Sequence, residues 1–380
     1  MIKKSILQKI LAFFARAAVR RHKPKIIAVT GSVGKTSAKE AIYAVLKKKY
    51  RIRRSEKSLN TEIGLPLAIL GAENRYKDIF GWIEELAKIV RNYLLPREYP
   101  KILILEYGVQ KPKDIDYLLS IAKPDIAVVT AIGDIPVHVE FFKDPEDIIK
   151  EKTKLVKALP ANGYAVVNHD DFAVYDMKEK TKAHAISYGF EEHAGVRIGN
   201  YEFQSITDKD SREIPMGITF KIYHEGNVIP VRLRGTFGKP QAYAAAAAVA
   251  VGRIHGMNLV AIAEALKEYE PPPGRMRLLE GIKNSFILDD SYNAAPESMR
   301  AALETLHALP GKRKIAVLGD MLEIGKYSEQ AHRAIGDLVA EFTDLLITVG
   351  PRAKFIADEA LTRGVEQNAR RLTQQQVMKF

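Results

Sequence analysis

Residues 26–37, IIAVTGSVGKTS, constrain this chain more than any other stretch. Four apolar residues, Ile26 to Val29, predict a buried parallel strand, and Gly31-Ser32-Val33-Gly34 predicts a tight turn. Lys35, Thr36 and Ser37 then open a helix that runs to about Lys49. Strand, glycine-rich turn, Gly-Lys-Thr and helix is the arrangement that cradles a nucleoside triphosphate. Small residues let backbone N–H groups approach phosphate oxygens, and the helix N-terminus adds a favourable dipole. Lys35 is expected to reach the β- and γ-phosphates, with the Thr36 hydroxyl on Mg²⁺. Val29 stands where the general motif has its first glycine, so the match to that motif is incomplete.

At 380 residues the chain is long enough for two or three domains, each with its own core. It has no cysteine, which excludes disulfides, thiolate metal sites and a cysteine nucleophile and suits a reducing cytoplasm. A formal charge of +12 points to polyanionic company such as nucleotides or anionic lipid. No nucleic-acid-binding module is recognisable, so nucleic acid is not an expected partner.

Residues 1–23 place Ile6, Leu7, Ile10, Leu11, Phe13 and Phe14 among Lys3, Lys4, Lys9, Arg16, Arg20 and Arg21. The apolar run is too short and interrupted to span a bilayer. A basic amphipathic helix of this kind either lies on an anionic membrane or packs its apolar face on the domain that follows. The first reading predicts peripheral association with the inner membrane face of a cytoplasmic protein.

Past the phosphate loop, residues 58–67 run from a loop into a helix, and 76–98 predict an amphipathic helix that holds Trp82. A strand over 101–106 ends in Glu106, and ligands of open α/β sheets sit beyond such strand ends. Glu106 is therefore placed either to hold Mg²⁺ or simply to be solvated. A strand over 126–130 leads to His138, and a helix over 144–159 carries Lys152; spacing alone singles out neither. Strands over 163–168 and 183–189 follow. Alternating strands over 195–234 predict an antiparallel edge or small subsheet, and helices over 239–255 and 259–268 come next, the first with an alanine run at 244–248 that suits tight packing. Pro271-Pro272-Pro273-Gly274 then breaks the chain. Strands over 285–290, 314–319 and 344–349 alternate with helices over 297–308, 328–342 and 352–363, predicting a second doubly wound domain. The polar tail from 365 shows no clear element.

Taken as a set, these stretches resemble the Mur ligase family of ATP-dependent amide ligases. The resemblance covers roughly residues 25–360. TGSVGKTS (30–37) is similar to that family's own phosphate loop, which also departs from the general motif. LNTEIGLPL (59–67), LEYG (105–108), PPGRM (272–276), DDSYNAAPESM (289–299) and LGDMLEIG (318–325) resemble further family stretches. His138 and Lys152 resemble the family's metal-binding histidine and its carbamylated lysine.

The resemblance implies an α/β protein. A P-loop ATPase domain over 25–270 has a mostly parallel sheet with a small antiparallel subsheet. A basic helix over 1–24 precedes it, and a Rossmann-like ligase domain over 271–380 follows. It implies ATP held by Gly31, Ser32, Val33, Gly34, Lys35, Thr36, Ser37, Asn60, Arg275, Asp290 and Asn293. It implies two Mg²⁺ sites, one on Thr36 and Glu106, the other on Glu106, His138 and carbamylated Lys152, with Lys35, Lys152 and His138 catalytic. The reaction implied is acyl-phosphate formation and capture by an amine. The expected substrates are a muramoyl-peptide-like acid and an amino acid or dipeptide, used by a monomer in cell-wall precursor synthesis. Two other readings stay open: a folylpolyglutamate-synthase-like ligase, and an ATP-binding, membrane-attached scaffold that does not ligate.

Three features depart from the family. Only about 24 residues precede the first strand, where muramoyl ligases carry a domain that grips UDP. Gly238-Lys239-Pro240-Gln241 replaces a Gly-His-Asn run. No Lys-Gly-Ser-Arg-like stretch is present near the end, so a reduced last domain is expected.

Overall fold

The computed structural model describes residues 4–56, 59–95, 98–209, 211, 213–364 and 370–372. Ser58 and most of the tail beyond 364 lie outside the described residues.

The first half of the chain runs α1 (Lys4–His22), β1 (Lys25–Thr30), α2 (Lys35–Leu46), β2 (Ile52–Arg54), α3 (Gly64–Leu70), α4 (Ile79–Leu94), β3 (Ile102–Glu106), α5 (Asp114–Ile121) and β4 (Ile126–Val129). Next come α6 (Pro145–Lys157), β5 (Tyr164–Asn168), α7 (Phe172–Tyr175), β6 (His184–Gly189), β7 (Val196–Thr207), β8 (Glu213–His224) and β9 (Asn227–Arg234). Then follow α8 (Lys239–Ile254), α9 (Leu259–Leu266), β10 (Arg277–Glu280), β11 (Phe286–Asp289), α10 (Pro296–Ala308), β12 (Ile315–Gly319), α11 (Ser328–Ala340), β13 (Leu345–Val349), α12 (Lys354–Thr362) and β14 (Arg370–Leu372).

Nine strands form one sheet in the order β2-β3-β1-β4-β5-β6-β7-β8-β9. It is parallel from β2 to β7, and β7, β8 and β9 pair antiparallel. The alternating stretch is thus an antiparallel edge of the main sheet, joined to it through β6 and β7. The pattern follows burial. β1, β3 and β4 read as unbroken apolar runs because helices cover both faces, whereas β9 alternates buried and exposed residues because one face meets water. On one side, α8 lies on α2; Ala244 to Ala248 are buried, and their small side chains let the two helices approach closely. On the other side, Leu11, Ala15 and Ala18 of α1 are buried, so this helix packs its apolar face on the domain.

The last part of the chain builds a parallel sheet β12-β13-β14 flanked by α10, α11 and α12. Two expectations change here. The strand at 286–289 does not enter that sheet; it pairs antiparallel with β10 as a separate hairpin. Its residues are exposed or half-buried, as suits a two-stranded ribbon and not a covered central strand. The polar tail does contain an element, β14, whose backbone pairs with β13 in register Ile347 to Arg370. Pairing through main-chain groups needs no apolar signal. Pro271 to Gly274 stand between α9 and the hairpin. Val139 and Ile148 of the first part share a core with Met299, Leu303 and Ile324 of the last, so the two parts meet.

Candidate active site

The end of β1 and the start of α2 frame the phosphate loop. Gly31 has φ 145°, and a Cβ there would fall 2.0 Å from Thr130 Oγ1, so a side chain is excluded. Gly34 caps α2 with φ 81°, in the left-handed region. The loop is pinned to the end of β4: the Thr130 hydroxyl donates to Val33 O (2.6 Å). Ser32 and Val33 N–H groups donate to Ala131 O at 2.7 and 3.2 Å. This corrects the expectation that successive loop N–H groups face inward. Those of Ser32 and Val33 are spent on Ala131, just beyond β4. The anion-facing donors left are those opening α2, at Lys35, Thr36 and Ser37, which have no acceptor within the helix.

Two lysines converge on one backbone oxygen. Lys35 Nζ donates to Gly31 O and Ser32 O, both at 2.9 Å. Lys152 Nζ donates to Gly31 O at 2.8 Å from α6. That helix is fixed at its start by Asp144, whose side chain accepts from Asp147 N, with Pro145 in the first turn. Burial, then the Arg275 charge, lowers Lys35 to about 8, with Glu106 opposing. Burial and the adjacent Lys35 charge hold Lys152 well below the ordinary lysine range.

Glu106, at the end of β3, is 1% exposed. Its carboxylate lies 3.0 Å from Lys39 Nζ. Lys39 is itself fully buried on α2, 3.3 Å from Glu40 and donating to Ser55 O at 2.6 Å. A lysine on an apparently amphipathic helix reads as solvated, and nothing local in the sequence singled this one out. Asn60 docks its loop against the same strand end, where Gly108 N donates to Asn60 O at 2.9 Å.

His138 lies on the loop before α6, at φ 73°. Its Nδ1 is 2.6 Å from Glu323 of the last part of the chain. Burial, then the Lys35 and Lys152 charges, lowers His138 to about 4. The Asp114 charge opposes this shift, and the Glu323 carboxylate that touches the ring is 43% exposed to water. The sequence placed Glu323 within a family stretch without assigning it a role.

The linker from Pro271 to Asn293, the hinge segment between the two parts of the chain, supplies the far wall. Arg275 acts on Lys35 and on Asp290 through its charge, and its guanidinium lies over the Tyr292 ring at 4.2 Å. Asp290 accepts from Met276 N at 3.1 Å; burial first raises it, to about 7, against the pull of Arg275. Asn293 is exposed on the loop before α10. Gln241 is 1% exposed and braces the hinge: it donates to Arg275 O (3.0 Å) and accepts from Tyr269 OH (2.5 Å). The amide of the departing Gly-Lys-Pro-Gln stretch is therefore committed to the fold.

The arrangement brings Lys35, Lys152, His138, Glu106 and Arg275 into one electrostatic neighbourhood. It does not gather a ready-made acidic cage: among the described residues no group of three or more His, Cys, Asp or Glu can hold a metal. The buried Glu106 carboxylate, balanced by Lys39, still offers oxygen to a hard cation, and Lys152 is convertible to an oxygen ligand.

Comparison with known proteins places both parts of the chain. Residues 29–252 match the Mur ligase middle domain and residues 274–378 the Mur ligase, glutamate ligase domain. The UDP-N-acetylmuramoyl-tripeptide–D-alanyl-D-alanine ligase of Bacillus subtilis (strain 168) is 30% identical over 352 residues, 91% of this chain and 67% of that protein. MurF ligase from Thermotoga maritima in complex with ADP superposes with TM-score 0.76 at 26% identity, over 98% of this chain and 81% of that one. MurF from Acinetobacter baumannii gives 0.77 at 26%, over 97% and 71%. With matches on both sides of the proline run and a phosphate loop built as described, the chain belongs to the Mur ligase family.

Proposed function

We propose that this chain is an ATP-dependent, ADP-forming carboxylate–amine ligase. It joins an amine of the D-alanyl-D-alanine type to a muramoyl-peptide-like acid in cell-wall precursor synthesis. The observation that carries the reading is the meeting of Lys35 and Lys152 at Gly31 O beside the buried Glu106.

The γ-phosphoryl group passes from ATP to the substrate carboxylate, releasing ADP and leaving an acyl phosphate. The amine attacks the acyl carbon, loses a proton, and the tetrahedral intermediate expels phosphate as the amide forms. Phosphoryl transfer asks for charge neutralisation more than covalent help. Lys35 swings from Gly31 O and Ser32 O to the migrating phosphoryl oxygens. Gly31 to Ser37 cradle the phosphates, chiefly through the N–H groups opening α2. Arg275 and Asp290 close the hinge side, with Asn60 and Asn293 at its margins, and exclude water.

Thr36 and Glu106 would hold one Mg²⁺, and Glu106, His138 and carbamylated Lys152 a second; bound magnesium supplies charge neutralisation at the phosphate oxygens. The lowered pKa of Lys152 favours its modification. A neutral amine adds to CO₂ and loses a proton, which turns an ammonium into an anionic oxygen donor. His138, held neutral, keeps a lone pair available to a cation.

The test is phosphate release from ATP, with UDP-muramoyl-tripeptide plus D-alanyl-D-alanine and then with a folate plus glutamate. Release with the first pair alone supports the reading. Release with the second alone moves the chain to a folylpolyglutamate type, and release with neither, alongside ATP binding, leaves a scaffold.

A further inference from the structure

Helix α4 is apolar on two faces. Trp82 and Ile89 point inward and are buried. Phe80, Ile83, Val90 and Leu94 form a second stripe at helical spacing and are exposed, Phe80 by 85% and Leu94 by 68%. Helix α1 repeats the pattern: Leu7 and Leu11 are buried, whereas Ile6 and Phe13 are exposed. The two stripes are joined. Phe13 meets Phe14 edge to face at 5.3 Å, Phe14 meets Tyr93 at 5.6 Å, and Arg21 donates to Tyr93 O. An isolated exposed leucine needs no explanation, but a continuous two-helix apolar face does.

Its charged frame says what covers it. α1 contains no acidic residue. On the two helices Lys9, Arg20, Arg21 and Arg91 are exposed, against the single exposed acid Glu84; Glu85 is buried and paired with Arg75. Two copies of this face brought together would oppose those cations to one another. An anionic bilayer would accept the apolar stripes at its acyl boundary and the cations at its headgroups. Among the described residues no helix is long and apolar enough to cross a membrane, so contact is in the plane of the surface.

We propose that α1 and α4 together form a docking face for an anionic lipid bilayer, with Phe13, Phe80, Ile83 and Leu94 inserted and Lys9, Arg20 and Arg91 on the headgroups. The inserted face lies on helices that carry none of the expected nucleotide-binding residues.

The test is co-sedimentation of the full chain with vesicles of phosphatidylcholine alone and of phosphatidylcholine with phosphatidylglycerol. Binding is expected to the anionic vesicles and to weaken as salt rises. The double substitution Phe80→Asp/Ile83→Asp is expected to lower that binding by about tenfold or more. Lys9→Glu/Arg20→Glu is expected to lower it chiefly at low salt. All of these positions are on the surface, and ATP turnover of each variant in solution is expected to match the parent. Absence of binding by the intact chain, or binding indifferent to lipid charge and to the α4 changes, overturns the proposal. So does a dimer in sedimentation analysis that Phe80→Asp/Ile83→Asp dissociates without vesicle binding, since that makes a second copy the occupant.

Discussion

The two walls of the active site are made differently. The phosphate-loop wall is built from strand ends: Gly31 against Thr130, Glu106 closing β3, Lys39 buried behind it. Its side chains are held by neighbours in a sheet that is covered on both faces. The hinge wall is built from loops, where Arg275 lies on a ring, Asp290 is partly buried and Asn293 is exposed. The first wall is held by buried neighbours, and the second is a loop segment with more exposed side chains. Charge stabilisation is therefore expected to reside in the first, and closure in the second.

The largest test of that contrast is Lys35→Ala, expected to lower kcat by about 10³-fold or more with little change in ATP affinity. A variant that merely doubles KM would move the decisive charge elsewhere. Lys152→Ala is expected to lose about 10²-fold in turnover and to regain part of it with added short carboxylates, which stand in for the lost carbamate. Full activity without rescue would remove the modified lysine from the site.

Lys39→Met should cost about 3 kcal/mol of stability in urea unfolding, because it leaves the Glu106 carboxylate buried without its cation. An unchanged midpoint would mean that the pair is dispensable to the phosphate-loop wall.

The smallest expected effect is on the hinge. Burial raises Asp290 to about 7 from an ordinary 3.8. The native state thus holds a proton that the unfolded chain gives up between those values. Its contribution is full below the unfolded value and is lost as pH rises through 7. Asp290→Asn removes that loss, so the variant should gain about 2 kcal/mol on the parent between pH 5 and pH 8. Parallel melting curves across that range would show the carboxylate to be solvated.

Much of the phosphate-loop wall was legible in the sequence because its signals are local. An apolar run, a glycine turn and Gly-Lys-Thr announce a loop within twelve residues, and Glu106 sits at the end of its own strand. What was illegible depended on distant partners. Nothing local marks Lys39, whose burial depends on Glu106 and Ser55, distant in sequence. The 286–289 strand carried a strand pattern, but its partner, β10, was set by the hairpin and not by the βα alternation around it. Gln241 stood in a stretch that departs from the family, and only its contacts with Arg275 O and Tyr269 explain why an amide is kept there. The contact between His138 and Glu323 joins residues 185 apart in sequence and could not be read from either.

The Gly31 carbonyl has a consequence for the order of events. One acceptor holds both lysine side chains, one on each lone pair, and so brings the two amino groups together. The proposed carbamylation of Lys152 would put an anion beside Lys35 and turn any repulsion between the two groups into attraction. Modification would then prime the second lysine before any nucleotide arrives, and a chain kept free of CO₂ would meet ATP with its most important cation wrongly tuned.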